Sequence, residues 1–239
     1  MARGASAKVN GNGKAGEASL SREEERRRSI LKAAVEVFSK KGYHGCRIAD
    51  VAKEANIAYG LVYHYFKNKD ELLESVFASG WQAFIARVTE AAMKADTLPD
   101  QVRSVVKVAF EAYRRDPRGV KVLILEVGRS PAGGSVNRGN VFKQVLALAS
   151  QLFDEAKARG EVREDFDSML NAALLFGTIE MGLTAFVLGF VERSDEALEK
   201  AANQVAETFL SGIAPRAQAG DTAWKSEKSN TRSKPVRRV

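Results

Sequence analysis

Three of the chain's five tyrosines, Tyr59, Tyr63 and Tyr65, fall within seven residues, with His64 among them and Phe66, Lys67 and Lys69 directly after. Phenol hydroxyls, an imidazole and ammonium groups are hydrogen-bond donors suited to phosphate oxygens and base edges. They do not make a metal site: the only other histidine is His44 and the only cysteine is Cys46. The same composition would also arise from two core aromatics beside a solvated charged turn, so the evidence lies in the joint spacing. Elsewhere the chain shows no paired carboxylates in a marked context, no Gly-rich phosphate loop and no nucleophile elbow. It therefore reads as a non-enzyme, and no cofactor is expected.

The elements that must position these groups are helical. Ser21 and Glu24 form a capping box, and Ile30, Leu31, Ala34, Val37 and Phe38 make the one-sided stripe of an amphipathic helix. Lys40 and Lys41 sit at its negative end, and Gly42 supplies a left-handed stop. From Ile48 to Tyr65 the pattern is two short helices around a tight turn. Val51, Ala55, Ile57 and Val62, with Tyr65 or Phe66, pack them, and Ala52 permits their close approach. Asn56 stands at the turn, where a positive φ is needed and asparagine tolerates it. That is a helix-turn-helix, whose second helix enters a DNA major groove. Ala58, Tyr59, Leu61, Tyr63 and His64 are then left facing outward, and Lys67 and Lys69 can pair with phosphates.

Further helices are expected at Asp70 to about Lys94, Pro99–Arg115, Pro117 to about Gly128, a stretch ending at Gly160, and about 167–190 and 195–212. A loop is expected at Ser130–Gly134. With no sustained strand alternation, the fold class is all-α, roughly nine helices. The net charge of +7 resides in two tails expected to be disordered, residues 1–20 and 215–239; between the tails the counts balance, 27 basic against 27 acidic. The absence of an apolar run in the first twenty residues predicts no secretory signal, and a cytoplasmic protein.

The segment GYHGCRIADVAKEANIAYGLVYHYFKNKDELLESVF, following RRSILKAAVEVFSKK, resembles the N-terminal domain of the TetR family of bacterial repressors. The resemblance covers about residues 25–77. It implies a DNA-binding domain over 21–68 and a helical ligand-binding and dimerisation domain over 69–214, acting as a homodimer on a palindromic operator. It also implies a recognition helix at Ala58–His64, with Tyr63 and Lys67 on phosphates, Tyr59 and Gly60 near bases, and Ala49 and Lys69 within the contact set. Where the family often has threonine at the start of its second helix, this chain has Cys46-Arg47, and Arg47 is expected to supply the phosphate contact instead.

The stretches Ala173–Gly189 and Leu123–Ser130 resemble members that repress fatty-acid degradation and respond to long-chain acyl-CoA. Phe84, Val88, Phe110, Tyr113, Leu123, Val127, Phe142, Leu146, Phe176 and Ile179 are candidates for an acyl tunnel, though such a stripe also suits plain core. Arg87, Arg114, Arg129 and Arg138 are candidates for CoA phosphates. A drug-responsive efflux regulator is the alternative, and only Glu111, Glu126 and Glu180 are placed to meet a cation. Ala172–Val191 is nearly long enough to span a bilayer, but Glu180 near its middle favours a helix buried on both sides, without a membrane. Leu174, Leu183, Phe186, Phe190, Leu198, Val205, Phe209 and Leu210 are the expected dimer contacts.

Overall fold

The computed structural model describes the backbone of residues 12–127 and 136–214 and the side chains of 21–125 and 142–214. Nine α-helices and no strand are present among the described residues. α1 spans Asn12–Gly45 and interrupts at Gly42, whose φ of 71° and ψ of 162° suit only glycine. The helix thus begins upstream of Ser21, and the expected capping box lies inside it. Residues 12–20, expected as part of a disordered tail, are helical; they contain Lys14, Ala15, Glu17 and Ala18 and no proline to bar a helix. The C-terminal tail and the expected Ser130–Gly134 loop lie outside the described residues.

α2 (Ile48–Glu54) and α3 (Tyr59–Tyr65) are joined through Asn56, the one non-glycine residue with positive φ (52°) among the described residues. α4 (Lys69–Met93) is capped by Asn68, whose side chain accepts from the Glu71 amide at 2.8 Å. α5 spans Leu98–Arg115 and α6 Pro117–Lys121. Beyond α6 the expected continuous helix widens into a π-helical turn, Val122–Val127. That register lets neighbouring side chains serve two cores: Val122 is fully buried in the N-terminal one, while Ile124 packs on the C-terminal one. α7 (Val136–Ala158), α8 (Ser168–Val187) and α9 (Asp195–Ile213) complete the chain. Ser194 caps α9 as its sequence position predicts, accepting from the Ala197 amide at 3.0 Å.

Two hydrophobic clusters organise the molecule. One joins α1, α2, α3 and the first turns of α4 around Ile30, Phe38, Val51, Val62, Phe66 and Leu72. The other gathers α5, α7, α8 and α9 around Val106, Phe110, Phe153, Ile179 and Leu198. α4 belongs to both, since Leu72, Leu73 and Val76 pack in the first and Phe84 against the second. α4 therefore runs from one cluster into the other.

α8 is the one helix among the described residues long and apolar enough to cross a membrane. Its inward face is Ala172, Leu175, Ile179, Leu183 and Phe186. Gly182 lets α5 approach: a Cβ there would stand 3.2 Å from the Phe110 ring. Most expected dimer contacts consequently turn inward, since Leu183, Phe186, Leu198, Phe209 and Leu210 are buried within the single chain. The large apolar side chains exposed on α8 are Met169, Leu170, Leu174 and Met181, with Leu188 at its C-cap and Phe190 just beyond.

Candidate nucleic-acid interface and ligand cavity

α3 divides cleanly. Val62 and, beyond its C-terminus, Phe66 are buried and hold it to α1 and α4, while Leu61 and Tyr65 are half-buried. Ala58, Tyr59, Gly60, Tyr63, His64 and Lys67 are exposed, with Tyr59 at 53% and Tyr63 at 43%. The two tyrosines are one turn apart, and their hydroxyls share a hydrogen bond of 3.0 Å with the rings edge-on at 5.2 Å. The hydrogen bond with the Tyr59 hydroxyl, helped by desolvation, raises the Tyr63 phenol above its ordinary pKa. Either hydroxyl can donate in this bond, and the one that accepts keeps its own proton to offer a phosphate facing α3.

α2 keeps its N-terminus without the threonine cap. The Arg47 amide donates to Asp50 Oδ2 at 2.8 Å, and Lys41 Nζ lies 2.7 Å from the other carboxylate oxygen. Lys41 and the Arg47 amide together hold the Asp50 carboxyl below the usual carboxylate range. The Arg47 side chain is left exposed beside Ala49, also exposed, on the side chains' solvent face.

Lys69 is half-buried and has internal partners. Its Nζ donates to the carbonyls of Tyr43 (2.7 Å) and Cys46 (3.1 Å) and lies 4.3 Å from the Tyr43 ring centroid. The Tyr43 hydroxyl donates in turn to Asp70 at 2.5 Å. Lys69 therefore ties the end of α1 to the start of α4. Two charge-assisted bonds in a partly buried site imply that Lys69→Ala will cost about 2 kcal/mol of stability and leave the salt slope of DNA binding unchanged. Lys67→Ala should do the reverse, flattening the slope by about one unit without a change in stability. Tyr63→Phe should weaken binding by roughly 1–2 kcal/mol at all sequences alike. Salt-dependent DNA binding and thermal unfolding read both effects, and an unchanged slope in Lys67→Ala would remove that lysine from the interface.

A cavity of about 1000 Å³ is lined by α1, α4, α5, α6 with its π turn, α7 and α8. Of the sequence candidates, Phe84, Val88, Leu123, Phe142, Leu146, Phe176 and Ile179 line it. Phe110 and Tyr113 do not; they are buried against Phe186, at centroid distances of 6.2 and 6.0 Å. The side chain of Val127 lies outside the described residues, as do those of Arg129 and Arg138. Arg87 lines the cavity, whereas Arg114 points to Glu111 at 2.5 Å.

Sequence reasoning missed Trp81, Leu31 and Val35 on the wall and Arg28 and Arg115 among the lining cations. Trp81 was legible, because Phe77, Trp81, Phe84 and Val88 form one stripe of α4. Leu31 and Val35 were not, since their helix serves the other core as well. Trp81 is the hub of an aromatic wall: it stacks on Phe77 at 5.7 Å, lies 5.5 Å from Phe84, and meets Phe176 edge-on at 6.0 Å. Trp81 Nε1 and Gln101 Oε1 are buried lining atoms without a hydrogen-bond partner among the described residues. Along α5 the lining runs from Leu98 to Arg115, which is about 26 Å at roughly 1.5 Å per residue. The space suits a long apolar chain.

Residues 30–76 match the family described as "Bacterial regulatory proteins, tetR family", and residues 77–212 match "YsiA-like protein, C-terminal region". A fatty acid metabolism regulator protein of Bacillus subtilis (strain 168) is 31% identical over 184 residues, 77% of this chain and 93% of that protein. The crystal structure of the regulator FadR from Bacillus subtilis, in complex with stearoyl-CoA, superposes with a TM-score of 0.71 at 30% identity, covering 78% of this chain and 98% of that one. The fatty acid degradation regulator FadR from Bacillus halodurans superposes with a TM-score of 0.72 at 26% identity, covering 78% and 95%.

Proposed function

The chain belongs to the TetR family of bacterial regulatory proteins, and from that premise we propose that it is a homodimeric, cytoplasmic repressor released from a palindromic operator by long-chain acyl-CoA. As a member of that family it is a DNA-binding transcriptional regulator and not an enzyme. The observation that carries the effector assignment is where the cavity lies. Its wall includes Leu31 and Val35 of α1 and Val76 and Phe77 of α4, the two helices that also build the DNA-binding core. A chain lodged there bears on the elements that set the position of α3. The relative solved with stearoyl-CoA supports the choice of chemistry.

An efflux-type regulator with a cationic ligand fits less well. Glu180 is on the cavity wall but exposed, and Glu111 is held by Arg114 and Arg115 at 2.5 and 3.3 Å. The Arg114 guanidinium keeps the Glu111 carboxyl below the ordinary range, already paired. Native mass spectrometry of the protein purified from its host tests the assignment directly. A dimer carrying an acyl-CoA mass, with the ligand-free form alone retaining operator DNA, is the expected result. A drug-like or aromatic cation in that place would transfer the protein to the other reading.

A further inference from the structure

A second, polar cleft of about 640 Å³ lies where α1 meets α6. Five cations line it: Lys40 from α1, Arg115 from the end of α5, Arg118 and Lys121 from α6, and Arg193 from the α8–α9 connection. Only two carboxylates face them, Glu36 and Asp116. One oxygen of Asp116 is already engaged by the Gly119 amide at 2.8 Å. Glu36 is engaged twice, by Arg118 at 2.6 Å and by Lys40 at 3.3 Å. Arg115 reaches Glu111 outside the cleft at 3.3 Å, and Arg193 rests over the Tyr113 ring at 5.6 Å. The cleft thus gathers more positive charge than its own carboxylates neutralise. It also adjoins the apolar cavity, because Arg115 and Asp116 line both.

We propose that this cleft seats the phosphate groups of a ligand, and that those phosphates displace Glu36 from Arg118 and Lys40. Phosphate is the anion that a converging set of guanidinium and ammonium groups recognises best, by forked bonds from arginine and a point charge from lysine. Glu36–Arg118 is a contact between the DNA-binding core and the effector domain, bridging α1 and α6 across 82 residues of sequence. An anion that takes Arg118 and Lys40 therefore removes the charged tie between α1 and α6 and leaves their apolar packing through Val122. Binding in the cleft and the setting of the DNA-binding domain become one equilibrium, which each side biases reciprocally. This deepens the effector assignment above and rests on it: the acyl chain occupies the cavity, and the phosphorylated head leaves past Arg115 into the cleft.

The phosphates can come from the head of an acyl-CoA or from a free anion, and a titration with four probes separates the sources. Calorimetry and operator binding are measured with palmitoyl-CoA, palmitate, free CoA and inorganic diphosphate. The proteins are the full-length chain, the double variant Lys121→Ala with Arg193→Ala, and Glu36→Gln. Neither altered cation is part of a hydrophobic core, and thermal unfolding confirms the fold of each variant. In the unaltered chain palmitoyl-CoA should bind at least tenfold more tightly than palmitate. The double variant should erase that difference while leaving palmitate affinity unchanged, and Glu36→Gln should tighten palmitoyl-CoA several-fold by removing the competitor. Diphosphate or free CoA binding with the same dependence on Lys121 and Arg193 would make a free anion the occupant, with the cleft reading retained. Palmitoyl-CoA affinity unchanged in the double variant, with neither free anion bound, overturns the cleft as a phosphate site. Failure of both palmitate and palmitoyl-CoA to bind would instead remove the acyl effector, and the free anions alone would then decide the cleft.

Discussion

Lengthening the acyl chain of a CoA ester from eight to sixteen carbons should convert it from an inert compound into one that lowers operator affinity at least tenfold. The argument is one of area. Burial contributes about 0.8 kcal/mol per methylene, so eight more methylenes supply up to about 6 kcal/mol. Carrying a two-state protein from 1:99 to 99:1 needs roughly 5.5 kcal/mol of differential affinity, so only a fraction of the chain's burial energy has to discriminate between states. The cavity has the volume and the aromatic lining to receive the chain, through Trp81, Phe84 and Phe176. A companion variant isolates the cavity from the DNA surface. Gly80 lies on the wall in mid-α4, and a Cβ there would meet Leu123 at an ordinary 3.5 Å. Gly80→Leu should therefore keep α4 intact, with the helix favoured by up to about 1 kcal/mol, while filling space that the acyl chain needs. Operator binding should survive and the response to palmitoyl-CoA should fall at least tenfold. A response indifferent to chain length would remove acyl-CoA as the effector and leave the DNA-binding assignment standing.

The second large effect concerns assembly. Leu170, Leu174 and Met181 recur at helical spacing on the outward side of α8, with Leu188 following at its C-cap and Met181 at 68% exposure. An exposed apolar row of this kind on a core helix marks an interface, and a two-fold one joins like rows face to face. Leu174→Asp combined with Met181→Asp should give a folded monomer by sedimentation. Operator affinity should drop by about a hundredfold or more, since the second half-site is no longer held at high effective concentration. Phe186→Asp, by contrast, places a charge among Phe110, Tyr113 and Gly182, and should unfold the effector domain rather than split the dimer. A double variant that sediments as a stable dimer would move the interface off α8.

Low pH acts on the same architecture through Glu36 and Asp50. Hydrogen bonds from Arg118 to Glu36, and from Lys41 and the Arg47 amide to Asp50, lower both pKa values. Their stabilising contribution is present above the unfolded-state values and is lost as pH falls through the folded ones. Both ties connect elements of the DNA-binding domain to their supports, α1 to α6 and α2 to α1.

What was legible in the sequence shared one property: it depended on local pattern. Ser194 reads as a cap and Asn56 as the turn residue because caps and positive φ values are local demands of the backbone. α3 could be divided into a packing side and an exposed side because only one of its faces is apolar. α8 is apolar nearly all round, so its composition carries no sign of which face turns inward. That choice was made by α5, α7 and α9, and it sent Leu183 and Phe186 into the core and left Leu174 and Met181 outside. The same reason separates Phe110 and Tyr113 from the cavity: a buried aromatic on an amphipathic helix serves core or pocket equally until its neighbours are placed. Lys69 looks like a phosphate ligand by position along the chain, and only the return of α1 beside α4 brings the carbonyls of Tyr43 and Cys46 within its reach. Glu36 and Arg118 are ordinary surface charges when read alone; folding sets them 2.6 Å apart across the two domains. Periodicity and capping are short-range and so are written in consecutive residues, whereas partner choice depends on side chains scores of positions away, and only the packed chain decides it.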